Sequence, residues 1–114
     1  MSNKRTDKDY LGDIQEALER IQTYVEGYTF ERFVKDSKTQ DAVLRNLEIL
    51  GEAAKRVSDP MRKHRENIPW KTLAGLRDRL IHHYFGINYE TVWQIITVEL
   101  PKIASDIKHA LEDR

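Results

Sequence analysis

The segment RDRLIHHYF, residues 77–85, gathers most of the side chains in this sequence that could perform chemistry. Arg77, Asp78, His82 and Tyr84 place a guanidinium, a carboxylate, an imidazole and a phenol within one short stretch. An imidazole with a pKa of ~6.5 exchanges protons near neutral pH, and a guanidinium presents a planar fork to phosphate oxygens. Together they would suit metal-free cleavage of an RNA phosphodiester, with His82 as the base for the 2′-hydroxyl and Arg77 stabilising the charge on phosphorus oxygens. A solvated helix face rich in titratable groups is the alternative.

A straight helix does not align this pair of residues. Arg77 and His82 differ by five positions and would point about 140° apart, whereas Arg77 and Tyr84 would lie nearly on one line. Asp78 precedes His82 by four positions, so its carboxylate would share a face with the imidazole and could fix the tautomer. Two arrangements remain open: the helix loosens ahead of Gly86, or two copies meet in a dimer and complete one pocket.

A metal site is the competing chemistry, and the spacing of the histidines disfavours it. His82 and His83 are adjacent and diverge on a helix, while His64 and His109 lie far away in sequence. The chain has no cysteine, no HExxH motif and no glycine-rich phosphate loop. We therefore expect neither a metal nor another cofactor.

Apolar residues recur at helical spacing in the segments that must position these groups. The stripes predict four main helices, over about 7–26, 37–57, 70–85 and 89–111. Pro101 should kink or divide the last one, and Gly51 and Ala53 should let another helix approach closely. Residues 30–37 should form a turn or two of helix, and 60–69 a basic, irregular and mobile connection of unassigned role. No segment alternates like a strand, so the predicted fold is all-α, an antiparallel up-and-down bundle of four main helices.

Length, charge and hydropathy narrow the class of protein. A chain of 114 residues suits one domain over 1–114, and residues 1–6 should be a flexible N-terminus. The net charge is zero, although residues 55–79 carry a local charge of +5. No apolar run is long enough for a bilayer, so we expect a cytoplasmic protein without membrane contact. Uncovered apolar surface around Trp70, Tyr84 and Trp93 would favour a homodimer.

The sequence resembles a known family along most of its length, from about Tyr10 to Leu111. The segments NLEILGEAAKRVS, IPWKTLAGLRDRL and RDRLIHHYFGINYETVWQIITVELPKI resemble the HepT-like toxins of the HEPN superfamily, the toxin half of HEPN/MNT toxin–antitoxin systems. The specific part is the Arg-x4-His-x-Tyr motif, which here comprises Arg77, His82 and Tyr84.

The resemblance implies a dimeric HEPN bundle with a shared cleft and a metal-independent endoribonuclease activity on cellular RNA. It implies Arg77 and His82 as the catalytic pair and Asp78 in support. The implied partner is a small MNT-type nucleotidyltransferase antitoxin that transfers AMP from ATP to Tyr84. Arg79 and His83 become candidates for substrate contact or plain solvated charge. A catalytically weak binding partner or modification substrate of the nucleotidyltransferase is the alternative, and a plain structural module is a third.

Overall fold

The computed structural model describes residues 4–82 and 86–113, and it describes His82 in its backbone alone. The helices in this part of the chain are α1 (Asp7–Tyr24), α2 (Phe30–Val34), α3 (Ser37–Arg56), α4 (Asp59–His64), α5 (Trp70–Ala74), α6 (Leu76–Leu80), α7 (Tyr89–Gln94) and α8 (Leu100–Glu112). A π-helical segment, Ile95–Glu99, joins α7 to α8, and β1 (Ile81–His82) pairs with β2 (Gly86–Ile87). The predicted all-α class is confirmed, apart from this pair of two-residue strands.

The core lies where α1 and α3 pack along each other, with α8 on α1 and α5 on α3. The stripes that predicted α1 and α3 are buried, including Leu11, Ile14, Val43 and Leu50 at 1% exposure or less. These side chains recur every three or four residues and so line one face of each helix. The up-and-down order of four main helices and the dimer stay predictions.

The N-terminus of α1 is capped by Thr6. Its hydroxyl accepts a hydrogen bond from the Asp9 backbone N–H at 3.2 Å, and the Asp9 carboxylate accepts one from the Thr6 N–H at 2.8 Å. The carboxylate accepts hydrogen bonds from the Thr6 backbone N–H and the Thr6 hydroxyl, which hold the pKa of Asp9 below its usual value. Arg5 forms an ion pair with Asp13. The flexibility of residues 1–6 stays a prediction, and residues 1–3 lie outside the described part of the chain.

Side chains close both ends of α3. Asp36 caps the N-terminus: its carboxylate accepts hydrogen bonds from the Tyr28 hydroxyl, the Thr39 hydroxyl and the Thr39 N–H, which lower its pKa to about 2. At the other end, the Arg62 guanidinium donates to the carbonyls of Ala54, Lys55 and Val57 at 2.8, 3.0 and 3.1 Å. A helix leaves its last carbonyls without partners, so Arg62 satisfies the C-terminus of α3 from outside.

Two predicted elements differ in the structure. The connection 60–69 is not irregular throughout, because Ser58 caps α4 and Pro60 lies in its first turn, where the missing N–H costs nothing. The third main helix over 70–85 is wrong as one element, since Gly75 divides it into α5 and α6 and the helical winding ends at Leu80. The Gly75 N–H closes α5 on the Lys71 carbonyl at 3.0 Å.

The last helical segment runs from Tyr89 to Glu112 and passes through Pro101 without ending. Proline lacks an N–H, and its ring crowds the carbonyl four residues earlier, which here belongs to Thr97. The π segment widens the helix at this point, and α8 then begins with Pro101 in its first turn. The predicted division at Pro101 is therefore wrong, because the winding changes in the π segment ahead of it and α8 continues through Pro101; a kink stays a prediction. No helix in the described part of the chain is long and apolar enough to cross a membrane.

Candidate functional site

Arg77 lies on the exposed side of α6, a helix of five residues. Leu76 and Leu80 on either side of it are buried and anchor α6 to the core. Gly51 of α3 allows the close approach, since a Cβ atom there would lie 3.2 Å from the Leu73 carbonyl oxygen and 3.9 Å from Leu76 Cβ. The predicted role of Gly51 is confirmed, and it brings Arg77 beside α3.

The Arg77 guanidinium forms no hydrogen bond or ion pair with any described residue. Glu52 on the neighbouring α3 does not pair with Arg77, because it faces Arg56 at 3.4 Å and Lys55 at 3.9 Å. An exposed cation without a carboxylate partner is available to an anionic ligand. Asp78 is exposed as well, and its carboxylate has no hydrogen-bond partner among the described residues.

His82 does not continue the helix that carries Arg77. The chain becomes extended at Ile81, and His82 pairs with Gly86 while Ile81 pairs with Ile87 in the antiparallel β1–β2 ladder. Gly86 adopts a φ of +76°, a left-handed conformation that glycine takes without a steric penalty. Of the two arrangements left open, the structure has the helix ending ahead of His82.

This local fold corrects the straight-helix geometry. Asp78 and His82 do not share a helical face, because α6 ends at Leu80 and His82 lies in β1; the predicted alignment of Arg77 with Tyr84 had assumed that the helix continued. The His82 imidazole and the whole of His83 and Tyr84 lie outside the described residues. The catalytic role of His82, the modification of Tyr84 and a substrate contact by His83 thus stay predictions.

Arg79 has a partner that the sequence analysis missed. Its two terminal nitrogens lie 2.9 Å from the two carboxylate oxygens of Glu99 in the π segment. The hydrogen bonds from Arg79 lower the pKa of Glu99, and the bonds to Glu99 raise the pKa of Arg79. This paired geometry fixes α6 to the last helix, so Arg79 serves as a structural tie and is a poorer candidate for substrate contact than Arg77.

Most basic side chains in the 55–79 region have a hydrogen-bond or ion-pair partner within the chain. Arg65, for example, binds Asp113 at 2.5 Å, in addition to the contacts of Lys55, Arg56, Arg62 and Arg79 described above. Lys63, Lys71 and Arg77 are the members without a hydrogen bond or ion pair to the described residues. Sequence alone could not separate these three, because each partner is set by the fold.

Arg77 opens onto a groove between α1, α3 and α6 with a volume of about 600 Å³. Its basic lining residues are Arg5, Arg45, Lys55, Arg56 and Arg77. Asp13, Glu48 and Glu52 also line it, which leaves a net charge of +2. Within the described chain, no group of three His, Asp or Glu side chains could hold a metal ion.

The two tryptophans are less exposed than the sequence predicted. Trp70 is buried at 6% exposure, and its indole N–H donates to the Arg65 carbonyl at 3.0 Å. Trp93 is half-buried and packs against Phe33 with ring centroids 5.3 Å apart. The expectation that Trp70 supplies uncovered apolar surface is therefore wrong.

Comparison with known proteins shows the family to which the chain belongs. The family model described as ribonuclease HepT-like matches residues 14–110, and this chain belongs to that family. A candidate RNase of Methanocaldococcus jannaschii is 42% identical over 110 residues, covering 96% of this chain and 91% of the relative. A probable ribonuclease HepT of Thermococcus cleftensis is 43% identical over 100 residues, covering 88% and 91% of the two chains. No solved structure matches the chain.

Proposed function

We propose that this protein is a metal-independent endoribonuclease that cleaves cellular RNA and acts as the toxin of a toxin–antitoxin system in the cytoplasm. Membership of the HepT-like ribonuclease family supports the nuclease activity. The observation that carries the proposal is Arg77, an exposed guanidinium without a carboxylate partner among the described residues, five positions before His82. Arg79, two residues further along, is already paired and could not replace it.

The proposed reaction uses Arg77 and His82 as catalytic residues. The His82 imidazole takes the proton from the RNA 2′-hydroxyl, and the 2′-oxygen attacks the adjacent phosphorus. The Arg77 guanidinium binds the non-bridging oxygens and stabilises their negative charge as it increases. The bond to the 5′-oxygen breaks, and that oxygen takes up a proton from a second donor. Asp78 supports the site as the carboxylate beside Arg77.

The proposal includes a homodimer and an off switch. In the dimer, two copies of the motif line one cleft, and an MNT-type nucleotidyltransferase antitoxin transfers AMP from ATP to Tyr84. Adenylylation adds a bulky phosphate diester to the motif, which competes with RNA for Arg77 and obstructs the cleft. Intact mass after incubation with such a nucleotidyltransferase and ATP tests this step. An unshifted mass, or a shift that persists in Tyr84→Phe, contradicts it.

Cleavage of total RNA by the purified protein in EDTA tests the nuclease activity. We expect His82→Ala and Arg77→Ala to abolish cleavage, whereas His109→Ala and Lys71→Ala remain active. The controls remove another imidazole and another cation at exposed positions whose side chains form no hydrogen bond or ion pair with the described residues. Intact RNA after incubation with unmodified wild-type protein would instead favour the alternative, a weak or inactive binding partner of the nucleotidyltransferase.

A further inference from the structure

The groove that Arg77 lines extends along α3 beyond the motif residues. Arg45 and Arg56 line it from the same helix and differ by eleven positions. Eleven residues rotate an α-helix by about three full turns and advance it by about 16 Å, so both side chains leave nearly the same line of α3. Cations this far apart on one line suit an extended polyanion better than a single small anion.

Glu48 and Glu52 do not fix Arg45 and Arg56 firmly. Arg45 and Glu48 are 3.7 Å apart, with side chains 72% and 59% exposed, and Arg56 and Glu52 are 3.4 Å apart, with side chains 60% and 58% exposed. Exposed pairs at these distances contribute little energy, since water screens them and long side chains lose entropy when held. The cations can therefore turn from Glu48 and Glu52 to a phosphate at small cost.

An aromatic ring in the groove favours a nucleic acid over an acidic polypeptide as the ligand. Tyr10 lines the groove and is half-buried, and the Arg5 guanidinium lies 5.2 Å from its ring centroid. A nucleobase can take the place of the guanidinium on such a ring and gain stacking energy, whereas an acidic polypeptide offers no equivalent flat surface. The combination of spaced cations and a ring favours single-stranded nucleic acid.

We propose that this groove binds the backbone of single-stranded RNA next to the cleaved phosphate, through Arg45 and Arg56, with a base on Tyr10. The inference rests on the proposed nuclease function, and it adds a binding path outside the Arg77–His82 motif. The path holds RNA in register with Arg77. Arg45 and Arg56 are thus positioning residues for the substrate.

Binding of a labelled, unstructured oligoribonucleotide tests the groove without cleavage. Measurements use dimeric full-length His82→Ala protein, by fluorescence anisotropy between 50 and 200 mM salt. A single-strand phosphate contact contributes about 0.7 to the slope of log affinity against log salt, or roughly fivefold in affinity at 0.1 M salt. We expect that loss for Arg45→Gln and for Arg56→Gln, and tighter binding for Glu48→Gln.

Lys38→Gln is the matched control, because Lys38 lies exposed on the same helix and does not line the groove. It should leave the salt slope unchanged, and Arg45→Lys should retain most of the affinity. Circular dichroism verifies the fold of each variant. If Arg45→Gln and Arg56→Gln bind RNA as Lys38→Gln does, or if Glu48→Gln weakens binding, the groove is not the RNA path.

A second arm tests the choice of ligand. Poly-glutamate should displace the oligoribonucleotide poorly, and Tyr10→Leu should weaken RNA binding; equal displacement by both polyanions would overturn the choice of RNA. The experiments distinguish failure of the groove proposal from failure of the nuclease proposal. Cleavage that depends on His82, with unchanged KM in both arginine variants, overturns the groove proposal alone. Absence of cleavage overturns the nuclease, while the binding measurements still decide the groove.

Discussion

Two arginines on the same short helix have opposite surroundings. Arg77 has no carboxylate or carbonyl partner among the described residues, whereas Arg79 binds both carboxylate oxygens of Glu99. A guanidinium already held by a carboxylate must lose that bond before it can bind phosphate, so Arg77 responds to a ligand more readily. The contacts, and not the residue type, separate the candidate catalyst from the structural tie.

Replacement of Arg77 by alanine should remove activity and leave stability intact. We expect cleavage of RNA to slow by about 10²–10³-fold, the usual cost of one donor that stabilises transition-state charge. The free energy of unfolding should change by less than about 0.5 kcal/mol, as for an exposed side chain without partners. Single-turnover cleavage and urea unfolding measure the two quantities. A large loss of stability with normal residual activity would assign Arg77 to the fold instead.

The sequence predicted Arg77 as a candidate and could not predict Glu99 as the partner of Arg79. The motif places its members within eight positions, which is local information, whereas Glu99 lies 20 positions from Arg79 and meets it through the packing of α6. The motif identified residue types that suit RNA cleavage. The relative positions predicted from its spacing were wrong, because the prediction assumed a helix that continues through His82. No propensity in LIHH signals that the winding ends at Leu80.

At the scale of elements, α6 depends on its neighbours for its position. A helix of five residues has little stability of its own, because the cost of starting a helix is spread over few hydrogen bonds. Two contacts outside α6 compensate: the close approach of α5 and α6 to Gly51, and the tie from Arg79 to Glu99. Both can be altered without touching the motif residues.

The Arg79–Glu99 tie should contribute modestly to stability, and its contribution should depend on pH. Both side chains are more than a third exposed, so water screens the pair. We therefore expect Arg79→Met to lower the free energy of unfolding by about 0.2–1 kcal/mol at pH 7. The pKa of Glu99 is lowered in the folded protein, so the contribution is present above the unfolded pKa near 4.5 and is lost as the pH falls through the folded value. Urea unfolding of wild type and Glu99→Gln over a descending pH series from pH 7 measures it. A difference between them that does not shrink as the pH falls would contradict this account.

Alanine at two helical glycines should have opposite effects. In α1, a Cβ at Gly12 meets no atom within 4 Å, so Gly12→Ala should stabilise the protein by about 0.5–1 kcal/mol through helix propensity. In α3, a Cβ at Gly51 meets the Leu73 backbone carbonyl at 3.2 Å, and Gly51→Ala should destabilise the protein by roughly 1–3 kcal/mol as α5 is pushed outward. Thermal unfolding compares the pair. Equal shifts for both would show that α5 moves freely.

The regular elements were predictable where periodicity was long. The stripes of α1 and α3 predicted both helices to within a few residues, because each buries one face over about five turns. The stripe from Trp70 to Ile81 crosses Gly75 without a break in spacing, so it concealed the boundary between α5 and α6. Two-residue strands such as β1 and β2 are too short to show alternation.

At the scale of the whole molecule, the net charge is zero, but the basic side chains differ in whether they have partners. Most of those in the 55–79 region bind carboxylates or carbonyls, whereas Arg77, which lines the groove, has no such partner among the described residues. Association with RNA should therefore depend on a few local contacts and only weakly on the overall field. The proposed dimer would place two such grooves on one particle.

Mixing two inactive variants tests whether the proposed dimer shares its catalytic pair. If Arg77 of one protomer acts with His82 of the other, refolding Arg77→Ala with His82→Ala should restore about a quarter of wild-type activity, since random pairing gives half heterodimers with one intact site each. If both residues act within one chain, every site keeps a defect and the mixture stays inactive. RNA cleavage by the refolded mixture, with each variant refolded alone as control, decides between them. A monomer by light scattering would contradict the shared arrangement.

The π segment before Pro101 also affects how the chain tolerates changes in its length. Each residue in a wide turn advances and rotates the path less than an α-helical residue does, so Ile95–Glu99 holds one residue more than an α-helix of that height needs. A single deletion among these residues could be absorbed by a return to ordinary winding. The buried faces of α7 and α8 would then keep their places in the core, including Val92 and Ile107. Related chains that differ by one residue in this region can therefore share one fold.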